Sequence, residues 1–395
     1  MAERHCMKQK SIQPRLAFHS TATLRFLALL LTTTLLVFSA CKKEDITDDS
    51  ETAGASSERM GTANHKTASV VVKPGGSIQA AINAAPDGSM IKILAGTYNE
   101  SIVVAKPGIT LFGEGNVILQ NPGTAAKGIV VSGAATGFTL KNITIQGFGE
   151  RALDMTNVDG FLLSHVTVVN NGEFGLFAEY CKNGTIEHCE GSDHAETGIF
   201  VGQSINVNLL QNRMHGNVIG LEVENSSNIV LDKNHSYDNA VGIMCLLVPG
   251  RLITLSTNIT ITKNQVRENN HVNFSAPPEQ ESVLPSGLGI LILGIDNAVI
   301  RDNHVTANKF AGIATLSSLI IGQLAGIPEA AFASIEPNPD HLRVISNQVK
   351  NNGYAPPVGL PLPGADLLWD GSGTDNCWSR NLYTISFPAN LPACP

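Results

Sequence analysis

Residues 209–221, Leu-Leu-Gln-Asn-Arg-Met-His-Gly-Asn-Val-Ile-Gly-Leu, return one repeat later as residues 231–243, Leu-Asp-Lys-Asn-His-Ser-Tyr-Asp-Asn-Ala-Val-Gly-Ile. In both, an aliphatic residue is followed by Asn three places on, a second Asn eight places on, and then a Gly-aliphatic pair. Working outward, the eight-residue step links Leu163, Ile186, Leu209, Leu231, Ile261, Ile300 and Val344 to Asn171, His194, Asn217, Asn239, Asn269, Asn308 and Asn352. The polar members are spaced 23, 23, 22, 30, 39 and 44 residues apart. A period in this range is one supersecondary unit stacked on copies of itself, with the longer gaps marking insertions. Short strands separated by Asn and Gly bends make each turn of an all-β chain, a β-solenoid.

A second column, Asn212, Asn234, Asn264, Asn303 and Asn347, keeps the same register, with Val166 and Cys189 in the two earlier turns. Stacked Asn amides can bond from rung to rung and satisfy the backbone of a buried bend. These residues are therefore expected to be structural. Between Lys73 and Gly115, Ser77 is a good N-cap, and Ile78, Ala81, Ile82 and Ala85 form one apolar helical face. Alternating strands follow from Met90. This entry segment resembles that of the pectin-lyase-like superfamily, and the turns from Phe138 to about Asn352 resemble its generic parallel β-helix repeats. The resemblance implies a single-stranded right-handed parallel β-helix with an N-terminal capping helix and loop insertions. It leaves activity open, because one architecture hosts many functions.

The front of the chain has the layout of an export signal. A basic leader ending at Arg25 precedes the apolar run Phe26–Phe38, too short to span a membrane. Ser39-Ala40-Cys41 resembles the bacterial lipoprotein cleavage box, which implies lipidation at Cys41. Lys42-Lys43-Glu44-Asp45 looks like the charged tag of surface lipoproteins of Bacteroidota, which implies an outer-membrane protein facing the cell exterior. Residues 1–40 are accordingly expected to be a signal peptide, 41–68 a flexible tether, 69–375 the β-helix and 376–395 a C-terminal cap. Cys377 and Cys394 fall in a segment poor in helix and strand signal and are expected to form a disulfide. Without residues 1–40, which carry five Lys/Arg and one acid, the net charge moves from −8 to −12. That balance disfavours nucleic acid as a partner; a polysaccharide is expected instead from the outward-facing aromatics and acids. An acidic glycan would require a local basic patch or bridging Ca²⁺.

Chemistry is expected on the strand after each Gly, where alternate side chains face outward. There Phe177, Phe200, Glu222 and Glu224 form a candidate substrate surface, with Asp154 beside them. Glu179, Glu222 and Glu224 are a candidate Ca²⁺ set. Ser192-Asp193-His194-Ala195-Glu196 places three ionisable groups where other turns have an Asn bend. It is loosely similar to the Asp-Pro-His-acid motif of alginate C5-epimerases, lacking the Pro and carrying Ala195. In a uronate lyase or epimerase, Arg213 or Arg151 would neutralise the carboxylate, His194 would take the C5 proton, and Asp193 or Glu196 would supply one. The competing expectations are a glycan-binding surface protein without catalysis and a structural or adhesion stalk. Burial of His194 in the Asn column would remove the enzyme reading at this cluster.

Overall fold

The computed structural model describes residues 69–395. The expected signal peptide, the tether and Cys41 lie outside them. Every strand pairing is parallel, in one sheet of twenty strands and another of eleven. A typical turn contributes three strands: Ile205–Leu210, Arg213–His215 and Ile219–Glu224. The first two belong to the larger sheet, which bends between them at Gln211, and the third belongs to the smaller sheet. The chain is a right-handed parallel β-helix. Eleven rungs at roughly 4.8 Å give a rod about 50 Å long.

Aliphatic side chains fill the bore in registered stacks. Ile186 lies on Leu209, Leu209 on Leu231 and Leu231 on Ile261, all fully buried. The Asn columns make the bends affordable. Asn234 accepts from the backbone N–H of Asn212 at 2.9 Å and from its amide at 3.0 Å, while its own amide donates to Leu209 O at 2.9 Å. This unit repeats through Asn264, Asn303 and Asn347 and ends at Asn381. The second column runs through Asn217, Asn239, Asn269, Asn308 and Asn352 and ends on Asp366. Because each rung offers four backbone and amide groups a fixed partner, the residue before the first-column Asn accepts a left-handed conformation. Gln211, Lys233 and Lys263 have φ of 55°, 56° and 54°, against a cost of roughly 1–2 kcal/mol for an L residue.

The helix Ile78–Ala84 plugs one end, capped by Ser77 and by Glu100, whose carboxylate accepts from the N–H groups of Ile78 and Gln79 at 2.8 and 3.1 Å. At the other end Cys377–Ser379 pairs with Arg343–Ile345, and Ser386–Phe387 with the strand Ala365–Trp369. Cys377 is bonded to Cys394.

The outer face of the smaller sheet carries a second apolar layer. Met244, Leu246, Leu291, Leu293, Leu316 and Leu368 pack there with Ile321, from the helix Leu319–Ala325. Two insertions extend this cover toward earlier rungs. Residues 246–258 are tied down by Asn225, whose amide reaches Val248 O and Ile253 O, and by Gln203, which accepts from Leu252 N–H at 2.8 Å. Residues 271–286 carry the one-turn helix Gln280–Val283 and drop Leu284 into the same apolar layer.

Candidate functional site

The covering loops correct the expectation of an open patch on the smaller sheet. Phe177 and Phe200 are each 6% exposed and stack ring on ring at 4.7 Å, with Phe174 set edgewise against both. The Arg151 guanidinium lies 3.7 Å from the Phe177 ring centroid, on the face a sugar would need. The rings are core, not platform. Asp154 is buried between Lys127 and Arg151.

Glu222 and Glu224 are 2% and 5% exposed. Glu224 pairs with Arg251 of the first loop, with Nε at 2.7 Å and Nη2 donating at 2.9 Å. Glu222 accepts from the Thr197 hydroxyl, and burial, reinforced by Glu281, pushes its carboxyl well above the usual range. Glu179 accepts from Gln203 Nε2 at 3.0 Å and stands two rungs from Glu224, with Gly202 between. Glu179, Glu222 and Glu224 therefore do not converge as a Ca²⁺ set.

The proposed catalytic group is likewise dispersed. His194 is fully buried within the Asn column. Its Nδ1 lies 2.8 Å from Asn217 Oδ1 and its Nε2 3.3 Å from Asn171 Nδ2. An Nδ1–H tautomer donates to the first and accepts from the second, which is the pattern of an Asn amide. Burial lowers the imidazole pKa to about 4, so a neutral ring with both nitrogens engaged cannot take a substrate proton. Asp193 is exposed and accepts from the Ser192 hydroxyl at 2.9 Å. Glu196 is buried toward the second loop, and Arg213 is exposed on the larger sheet. The four side chains share no cleft.

The structure does present an open groove, on the larger sheet around Arg213. Three outward columns build it. The left-handed bend residues His188, Gln211, Lys233 and Lys263 form the first. Arg213, His235 and Gln265, paired rung to rung, form the second. Tyr237 and Arg267, also paired, complete it beside His215. Tyr237 is held flat: His215 stacks on it at 5.0 Å, the Arg267 guanidinium sits 4.8 Å from its ring centroid, and Arg213 donates to its hydroxyl from Nε at 2.8 Å. Four permanent cations line the groove and no acid does. Their carboxylate partners stand outside the lining: Glu190 is 3.8 Å from Arg213, Asp232 is 3.6 Å from Lys233, and Glu268 pairs with Arg267. Among the described residues Lys263 has no ion-pair partner.

Of the predicted site residues only Arg213 belongs to this groove. Lys233, Lys263, Arg267, His235 and Tyr237 were not singled out from the sequence. For Lys233 and Lys263 the signal was present in the repeat, since the bend residue immediately precedes each first-column Asn and must point outward.

Residues 127–321 match a family model described as a right handed beta helix region. No curated protein matches the sequence. Among solved structures, the A-module of a mannuronan C-5 epimerase from Azotobacter vinelandii aligns with a TM-score of 0.55 at 14% identity, over 77% of this chain and 90% of that one. A DFA-IIIase from Arthrobacter chlorophenolicus aligns at 0.53 and 12%, over 77% and 80%. A surface protein and adhesin of Streptococcus pneumoniae aligns at 0.52 and 12%, over 77% and 85%. At these identities the likeness is one of fold.

Proposed function

We propose that this protein binds an acidic polysaccharide along the groove lined by Arg213, Lys233, Lys263, Arg267 and Tyr237. The observation that carries the reading is a row of cations free of lining acids on a chain whose overall charge is negative. Rungs about 4.8 Å apart present a donor or cation at each step, which suits a linear polymer with repeating carboxylate or sulfate groups. Arg forks bind such groups in two-point fashion. Similar folds occur in a mannuronan epimerase and in a bacterial adhesin, which supports a carbohydrate-related role. The test is titration of the purified protein with uronate-rich and with neutral polysaccharides. Saturable binding to the acidic polymers that weakens with salt is expected; equal binding to both classes, or none, would exclude the proposal.

We further propose that the chain is exported and anchored by lipid at Cys41, a reading supported by the leader and the Ser39-Ala40-Cys41 box. Labelled fatty acid should enter the wild-type chain and not Cys41→Ser; equal labelling of both would refute it.

A further inference from the structure

Beneath the second loop, three carboxylates meet without a cation. Glu196 leads into the strand Thr197–Gly202, while Glu279 and Glu281 flank the start of the loop helix Gln280–Val283. One carboxylate oxygen from each lies within 4.8 Å of the other two. Glu196 is 4% exposed, and the group that its carboxylate meets is another acid, Glu279. Arg251, the cation that acts on Glu281, is already engaged with Glu224. Glu222 lines the same small cavity as Glu281 and Leu284. A buried carboxylate without a partner is strongly disfavoured, and two more aimed at it compound the cost.

We propose that Glu196, Glu279 and Glu281 bind one Ca²⁺ ion, which clasps the loop 271–286 onto the β-helix. The donors are all carboxylate oxygens, with no His or Cys, which selects a hard cation. Three carboxylates supply up to six oxygens, and the exposed side at Glu279 leaves room for water, as the flexible six-to-eight-oxygen shell of Ca²⁺ requires. Mg²⁺ demands a tighter octahedron and is expected to bind more weakly. Two ligands come from the loop and one from the rod, so the ion would join elements otherwise linked by Leu284 packing and by the backbone bond from Gly287 N–H to Ala240 O.

The site lies apart from the groove and can be tested without it. The full chain, stripped with a chelator, is titrated with CaCl₂ and MgCl₂ in a calorimeter at neutral pH, and the loop is probed by limited proteolysis in parallel. One Ca²⁺ per chain, slower cleavage within 271–286, and at least tenfold weaker binding in Glu196→Gln and in the exposed-site variant Glu279→Gln are expected. Two results would overturn the proposal: absence of Ca²⁺ binding at millimolar concentration, or binding undiminished in both variants. A wild type insensitive to Ca²⁺ that is stabilised by Glu196→Gln would also overturn it, marking the cluster as carboxyls sharing protons.

Discussion

His194 shows how one side chain can stand in for another when the hydrogen-bond pattern is kept. The neutral ring donates toward Asn217 and accepts from Asn171, so it serves the column as an amide would. Protonation would place a second N–H against the Asn171 amide donor. The folded pKa, about 4, lies below the ordinary value of 6.5, so the unfolded chain binds the proton more readily between those limits. Stability from this residue is therefore complete above about pH 6.5 and is lost as pH falls toward 4, by on the order of 3 kcal/mol. His194→Asn should preserve stability near neutral pH and flatten the acid slope, as read by chemical denaturation across pH 4–7. A variant with an unchanged slope would place the acid sensitivity elsewhere. Asp366 makes the complementary point at the end of its column. It accepts from Asn352 N–H and amide at 2.9 and 3.0 Å and from Thr384 N–H at 2.9 Å, and a terminal position needs only an acceptor.

At the level of elements, the division between legible and hidden follows the range of the interactions. The rungs were readable because aliphatic marker, Asn and Gly recur within a dozen residues, and each turn obeys the same local geometry. The apolar outer face at Met244, Leu291, Leu293 and Leu316 is covered in part by the helix Leu319–Ala325. The paths of loops 246–258 and 271–286 were not readable. The first depends on single long-range contacts, Gln203 with Leu252 and Arg251 with Glu224, and the second on His271 N–H to Asn239 O and on Leu284 in the apolar layer, which no periodicity encodes. For that reason Phe177, Phe200, Glu222 and Glu224 looked like surface from strand alternation alone and proved to be interior. Conversely, Lys233 and Lys263 carry no repeating signal of their own, since the Asn that follows each sets the pattern. Their left-handed backbone is imposed by the column, and their side chains are free to serve the surface.

For the molecule as a whole, the β-helix separates its duties by face. The bore and the Asn columns supply rigidity, the smaller sheet is roofed by insertions, and the bend of the larger sheet stays open. An acidic chain that keeps four cations on one open groove gains local attraction for an anionic polymer while the rest of its surface repels it, which confines binding to that face. The most direct measurement is the affinity of the wild type and of Lys233→Glu/Lys263→Glu for a uronate-rich polysaccharide at low and physiological salt. Both side chains are exposed and take no part in the Asn-column hydrogen bonds, so circular dichroism and melting should be unchanged. The account predicts at least a tenfold loss of affinity in the double variant and a weaker salt dependence of whatever binding remains. Undiminished affinity in a folded variant would contradict it and move the glycan surface to another face.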